Sequence, residues 1–432
     1  MPSFAIAGVL EGFSGPPWSW DDRIAVMEQC LPAGLPWYVW APKSDPLHRR
    51  DWREPFTVEH LDGFRRLLEV DGLHLGVAIA PGLDLDLVDP DADDEALVAK
   101  LRSVVDIGAT LVIVAFDDIG NDTTNAMNAM NAQRHIDIVC ALCNAMELSD
   151  VHVVVVPTHY ATTSSTPYLA ALSAGLPPEV MIGWTGPSVV NDMITLEDAE
   201  AFAEVVDGRM IALWDNYPVN DAVMSDRLFL RPLEGREPGL SETCGAYLAN
   251  AGVQAWPSLP ALLSAGAWVT TGVADIAWEE FDDGVNLALL AGACDGRELS
   301  RLARNVLDDD ESADLWWWLE RLEDLEIDGP IGEQARPWID QTRAEAAVAL
   351  TALDLYERDR GDPEAIALVV DLWRTWPPVR YSTVSVFGSR FGIEPRIGND
   401  SRGAWTLQPG SLVDDTNVTD LLCRLALTKH GA

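Results

Sequence analysis

Two carboxylates stand side by side where an apolar run ends: Asp117 and Asp118 close the stretch LVIVAFDDIG, residues 111–120. Acids at the end of a buried strand cost free energy unless they are paired, hydrogen-bonded or put to use. Two neighbouring acids also repel, which raises the proton affinity of one of them, as a general acid near neutral pH requires. The dipeptide alone says little, because it also begins at Asp21, Asp93, Asp282, Asp308 and Asp414. Those copies sit at apparent helix starts or in acidic loops, where solvation explains them. A standard glycosidase places its acid and its nucleophile on opposite sides of the anomeric carbon, which consecutive residues fit poorly. They fit the substrate-assisted variant better. There one carboxylate orients a 2-acetamido N–H, the other protonates the leaving oxygen, and the sugar's own acetamido oxygen is the nucleophile.

The elements that would position such a pair alternate from the N-terminus to about residue 280. Short runs rich in Val, Ile and Ala, such as FAIAGVLEG, PWYVWAPK, LHLGVAIAPG, TLVIVAFDD, VHVVVVPTHY, EVMIGWTGP and RMIALWDNYP, alternate with amphipathic segments opening on Asp or Thr. Runs apolar on both faces read as buried parallel strands. Glycines at 72 and 208 follow two of the helical segments, as expected beyond a helix end. Seven such units, with an eighth strand expected near AGVQAWP, predict an α/β fold of the (β/α)8 barrel type. An open doubly wound sheet is the alternative, and no GxGxxG spacing follows the first strand to support it. In a barrel the chemistry gathers at the C-terminal strand ends. That rim would carry Glu11, Gly12, Lys43, Pro81, Gly82, the acid pair, Thr158, Tyr160, Trp184, Thr185, Trp214, Asp215 and Asn216. Aromatic faces among amides and carboxylates suit a sugar better than a phosphate.

Composition bounds the partners. The 432 residues carry 69 acids against 29 bases, a net charge of −40, and only three of the bases are lysines: Lys43, Lys100 and Lys429. Such a surface repels nucleic acid and anionic membranes. No run approaches the roughly 18 apolar residues of a membrane span, and the first residues lack the basic and apolar regions of a signal peptide. The cytoplasm is the expected compartment. Cys140 and Cys143 form a CxxC, but they lie in a helical pattern with no second Cys/His pair, so buried helix cysteines are expected rather than a metal site. No cofactor or metal is called for.

The blocks GVLEGFSGPPWSWDDR, YVWAPKSDPLHRRDWREPF, IAPGLDL, FDDIG, VPTHY, GWTGPSVV and LWDNYPVNDAVMSDRLFLRPLEGR together resemble glycoside hydrolase family 84. These are retaining β-N-acetylglucosaminidases that include the O-GlcNAcases and were once described as hyaluronidases. The resemblance runs in order through roughly residues 4–270 and implies a (β/α)8 catalytic barrel. It implies that Asp117 polarises the 2-acetamido group and that Asp118 is the general acid and then the base. It implies that Tyr160 bonds the acetamido oxygen, that Asn216 binds near the acetamido group and that Trp214 walls its pocket. Asp221 would hold O4 and O6, Lys43 the O3 side, and the Gly12 carbonyl O3. Two positions depart from the family pattern. Ser14 stands where EGFYG has an aromatic residue, and NAG, residues 250–252, stands for an NPN-like turn, leaving Asn250 a poor candidate ligand.

Domains are expected at 1–285, the barrel, and 286–432, mainly helical, with a Trp316–Trp318 run that is either substrate platform or core. The expected substrate is a β-GlcNAc-bearing glycan or glycopeptide, and the C-terminal domain leaves room for a homodimer. A catalytically silent sugar-binding protein on the same barrel is the rival from another class. A chitinase-type enzyme is the rival among hydrolases, but its DxDxE spacing is absent after AFDDIG.

Overall fold

The computed structural model describes residues 4–85, 90–117, 119, 125–146, 151–309, 311–380, 382–388, 392–393, 396–399, 405–408, 412–413 and 417–431. The chain divides into two units. The first comprises Met1–Asp221, Pro232–Asp275 and Ile397–Thr406, and the second Ala222–Arg231, Ile276–Arg396 and Leu407–Ala432.

The first unit is a closed barrel of eight parallel strands in sequential order. They are β1 (Ile6–Glu11), β2 (Trp37–Trp40), β3 (His74–Ile79), β4 (Leu111–Ala115), β5 (His152–Val156), β6 (Met181–Trp184), β7 (Ile211–Asp215) and β8 (Cys244–Asn250). Closure is by β8 against β1, with Ile6 opposite Ala246 and Leu10 opposite Asn250. Helices α1 (Trp20–Cys30), α2 (Val58–Leu68), α3 (Pro90–Val105), α4 (Asn125–Ala145), α5 (Pro167–Gly175) and α6 (Leu196–Val205) follow β1 to β6 in turn, two short 3-10 turns follow β7, and α7 (Ala255–Thr271) follows β8. The starts of α1, α2, α5 and α6 are set by side chains that satisfy orphan N–H groups. The Ser19, Thr57 and Thr166 hydroxyls each accept from the backbone N–H three residues on, and Thr195 with Asp198 forms a reciprocal capping box.

The eighth strand lies upstream of its expected place: AGVQAWP runs into the start of α7, and the strand is CGAYLAN. Its Gly and Ala residues carry little intrinsic strand preference, and two-sided pairing with β7 and β1 makes it a strand. The barrel interior is filled from alternate positions, among them Ile6 and Leu10, Trp37 and Val39, Leu111 and Ile113, Val154 and Val156, Ala212 and Trp214, Ala246 and Leu248.

The second unit is helical, with α8 (Gly284–Asp295), α9 (Arg297–Asp309), α10 (Ala313–Glu323), α11 (Gly329–Glu357), α12 (Ala365–Arg380) and α13 (Val418–His430). Its core draws Leu290, Leu299, Leu315, Leu319, Ile339, Leu353 and Leu422 together. Within the tryptophan run, Trp316 and Trp318 pack against that core, while Trp317 is exposed under the Arg321 guanidinium. Cys143 is buried in α4 and Cys140 is half-buried; both are free thiols. No described helix is long and apolar enough to cross a membrane.

Candidate active site

Strand parity decides which residues meet. Successive side chains of a strand point to opposite faces, so the interior positions of each strand select the residues that continue inward past its end. In β4 the interior set Leu111, Ile113 and Ala115 continues to Asp117. By the same step β2 leads to Lys43, β5 to Tyr160, β6 from Met181 to Thr185, and β7 from Trp214 to Asn216. The structure brings these together: Lys43, Asp117, Val156, Tyr160, Thr185, Val189, Trp214 and Asn216 line one pocket at the mouth of the barrel.

Asp117 is buried and held by two cations. Lys43 Nζ lies 3.1 Å from Oδ2 and an Arg49 guanidinium nitrogen 3.3 Å from Oδ1. The same Arg49 nitrogen donates to the Asp117 backbone carbonyl at 3.3 Å. Opposite charges this close favour the ionised carboxylate, so Asp117 is poised as a fixed negative charge and hydrogen-bond acceptor. Asp118 lies outside the described residues. Tyr160 is buried with its ring in the pocket wall, and its carbonyl accepts from Thr185 N at 3.0 Å.

Across the pocket a chain of amides fixes the other wall. Gly12 N donates to Asn250 Oδ1 at 3.0 Å, Asn250 Nδ2 to Asn216 Oδ1 at 2.8 Å, and Trp214 Nε1 to the same oxygen at 3.0 Å. Asn216 Nδ2 in turn donates to the Val189 carbonyl at 2.7 Å. Gly12 is required by close approach, since a Cβ there would stand 2.5 Å from the Trp214 ring.

The same parity removes three residues expected on the rim. Glu11, Trp184 and Asp215 are each the last residue of their strand and face outward, away from the pocket. Glu11 is fully buried, with the Arg23 fork at 2.7 and 2.8 Å and the Tyr38 hydroxyl donating to it. Asp215 is likewise buried, with the Arg236 fork at 3.0 and 2.7 Å and the Tyr247 hydroxyl at 3.1 Å. Burial pushes both tyrosine phenols well above their usual range. Trp184 is stacked on Phe202 and donates to the Thr162 carbonyl. These groups tie the strand ends to the outer layer, and so hold Gly12, Thr185 and Asn216 pointing inward.

A family model described as beta-N-acetylglucosaminidase matches residues 7–288, well over half of the chain. The chain belongs to glycoside hydrolase family 84. Rat and mouse protein O-GlcNAcase are each 29% identical to it over 278 residues, 61% of this chain and 30% of theirs. The chain thus matches less than a third of the length of these curated relatives. Among solved structures, a variant of the Thermobaculum terrenum O-GlcNAc hydrolase superposes with a TM-score of 0.78 at 22% identity, covering 98% of this chain and 95% of that one. A protein named CpGH84B superposes at 0.76 with 21% identity over 89% and 75% of the two chains. Both likenesses establish the fold.

Within this family 84 barrel, both departures from the family pattern have a local account. Ser14 contributes its backbone, whose N–H donates to Asp221 Oδ2 at 2.6 Å; that bond needs no particular side chain. Asn250 buttresses Gly12 and Asn216, while Gly252 N donates to Ser258 Oγ at 3.0 Å. A Cβ at Gly252 would come within 3.0 Å of both Ser258 Oγ and Asn220 Oδ1. Two contributors escaped the sequence reading. Arg49 lies in a loop, where periodicity says nothing, beside Arg50, which is exposed and paired with Asp51. Asn250 could have been found by extending the Ala246–Leu248 parity once the strand was placed.

Proposed function

We propose that the chain is a retaining exo-β-N-acetylglucosaminidase that removes terminal β-GlcNAc by substrate-assisted catalysis, in the manner of an O-GlcNAcase. The observation that carries this reading is Asp117, a carboxylate held between Lys43 and Arg49 in a pocket shared with Tyr160, Trp214 and Asn216. In this mechanism Asp117 accepts the acetamido N–H and stabilises the positive charge that develops as the acetamido oxygen attacks C1. The bond from C1 to the aglycone oxygen breaks while Asp118 donates its proton to that oxygen. Water then attacks C1 of the oxazoline, giving its proton to Asp118, as the bond from C1 to the acetamido oxygen breaks and the 2-acetamido group is restored with retention of the anomeric configuration. Tyr160 and Asn216 hold the acetamido group against Trp214. Asp221, Lys43 and the Gly12 carbonyl bind the ring hydroxyls. The substrate is a β-GlcNAc-bearing glycopeptide or glycan, met in the cytoplasm, and the helical unit supports a homodimer.

Release of 4-nitrophenol from its β-GlcNAc glycoside tests the activity, and inhibition by a thiazoline mimic of the oxazoline tests the mechanism. Asp118→Asn is expected to slow glycosides with poor leaving groups far more than activated ones, because only the former need the proton. Equal losses on both would refute the role. A chain that binds the thiazoline but releases no nitrophenol is a sugar-binding protein instead.

A further inference from the structure

We propose that Arg49 is a positioning residue of the reaction, acting through Asp117, and that the loop carrying it is built to hold it there. This rests on the proposed glycosidase reading and adds to it a residue the family resemblance does not supply.

The Arg49 nitrogen bridges two acceptors of the same residue, the Asp117 carbonyl and Oδ1, both at 3.3 Å. A donor shared between the backbone and the side-chain carboxylate fixes χ1 of Asp117. Lys43 takes the other oxygen at 3.1 Å. The two cations thus grip opposite edges of the carboxylate and set the plane in which it meets an acetamido N–H. A hydrogen bond of the required strength is directional, and a catalytic group misplaced by about 1 Å loses on the order of 100-fold in rate.

The loop behind Arg49 has more bracing than a surface turn needs. The buried Lys100 ammonium, from α3, donates to the carbonyls of Leu47 at 2.6 Å and Trp52 at 3.0 Å, on either side of Arg49. His48 is buried, with Nδ1 2.9 Å from the Ala78 carbonyl, while its own carbonyl accepts from Ala80 N at 2.9 Å. Nδ1 is therefore the protonated nitrogen, and the ring is pinned to the end of β3. Burying an ammonium is costly; here it joins two loop carbonyls that bracket residues 48–51, the segment that carries Arg49. Arg50, the next residue, points to solvent with 77% of its side chain exposed. The braced segment thus directs one arginine of the pair to Asp117 and the other to solvent.

Among the described residues, the charged or titratable groups sharing the surroundings of Asp117 are Lys43, Arg49 and Tyr160, with Asp118 next in the chain. Removing the Arg49 charge leaves Asp117 with one cation, Lys43, of the two that hold it, so its protonation begins at higher pH.

The test uses the full chain and compares wild type with Arg49→Gln and Arg49→Lys. Hydrolysis of 4-nitrophenyl β-GlcNAc is followed from pH 4.5 to 9, with thiazoline affinity and thermal unfolding measured in parallel. Arg49→Gln should lower kcat/KM by about 10- to 100-fold, chiefly through kcat, raise the acid limb of the profile by roughly one pH unit and weaken the thiazoline about tenfold. Arg49→Lys should return the acid limb toward wild type, because the charge is restored. An active wild type with an Arg49→Gln variant that keeps its kcat and acid limb, and loses only thermal stability, overturns this inference and leaves the glycosidase reading standing. If the wild type releases no nitrophenol but binds the thiazoline, the glycosidase reading falls, and an Arg49→Gln affinity unchanged from wild type removes this inference too. If the wild type neither hydrolyses nor binds, both fall together.

Discussion

Asp117 and Asp215 are both carboxylates at strand ends of one barrel, both buried and both bound to arginine, yet they are built for different work. Asp215 meets Arg236 as a two-pronged fork, with Tyr247 closing one side and both charged side chains less than 5% exposed. Asp117 meets two separate cations end-on, and these are 20% and 17% exposed. The fork faces the outer layer and the end-on pair faces the pocket, one residue parity apart. The difference teaches that burial of an acid at a barrel rim does not say what the acid faces; the side of the strand on which it falls does.

The largest effect separates the two by readout. Asp117→Asn should lower kcat/KM on every substrate by roughly a thousandfold, within the range for removing a group that acts on a reacting atom. Its unfolding midpoint should stay close to wild type. Thermal unfolding beside steady-state kinetics checks both halves, and a strongly destabilised Asp117→Asn would make Asp117 a structural acid like Asp215.

Arg236→Met should do the reverse. It leaves the Asp215 charge buried without its fork, which costs about 3–5 kcal/mol, while the protein that remains folded should keep its KM. Adding Asp215→Asn should recover much of that loss, because the orphaned charge is then gone. Urea unfolding of the two single variants and the double variant measures the coupling directly. A double variant no more stable than Arg236→Met would mean that the pair contributes packing rather than charge compensation.

How far the sequence carries this comparison depends on period and context. The barrel, seven of its strands and the helical character of the second unit follow from runs of apolar residues and amphipathic spacing. The acid pair stands out because, of the six Asp-Asp runs, only it ends an apolar strand. Glu11 and Asp215 looked like rim residues because proximity to a strand end was read without parity; Leu10 and Trp214, both interior, already put their neighbours on the other face. CGAYLAN was illegible because its small residues become a strand only through the partners on each side. Arg49 was illegible because nothing local tells it from Arg50.

A smaller effect concerns what backs each acid. Behind Asp215 lies a charged arginine, whereas the strands around Asp117 are backed by buried neutral imidazoles. His48 is pinned to the Ala78 carbonyl, and His135 is stacked on Phe116 at 3.7 Å with Nδ1 2.9 Å from the Tyr168 hydroxyl. Burial pushes each down to about 3 from an ordinary 6.5. Between pH 6.5 and 3 the unfolded chain therefore binds more protons than the folded one, so stability falls as pH drops through that window, by roughly 1.4 kcal/mol per pH unit for each histidine. His135→Gln should flatten the slope of unfolding free energy against pH by about one proton between pH 6 and 4. Urea titrations at several pH values give that slope, and an unchanged one would show that His135 does not hold its neutral form through the acid range.

The smallest effect is expected at a third carboxylate. Asp221 takes its bond from Ser14 N, a backbone donor, at 2.6 Å, so the residue type at position 14 should matter little even though the family pattern has an aromatic ring there. Ser14→Ala should change KM for 4-nitrophenyl β-GlcNAc by less than about twofold, whereas Asp221→Ala should raise it at least tenfold, since the role proposed for Asp221 is a charge-assisted bond to the sugar, worth about 1.5–3 kcal/mol. A large rise in KM for Ser14→Ala would mean that the hydroxyl itself meets the substrate. Asp221 would then be positioned by a side chain rather than by the backbone turn that follows β1.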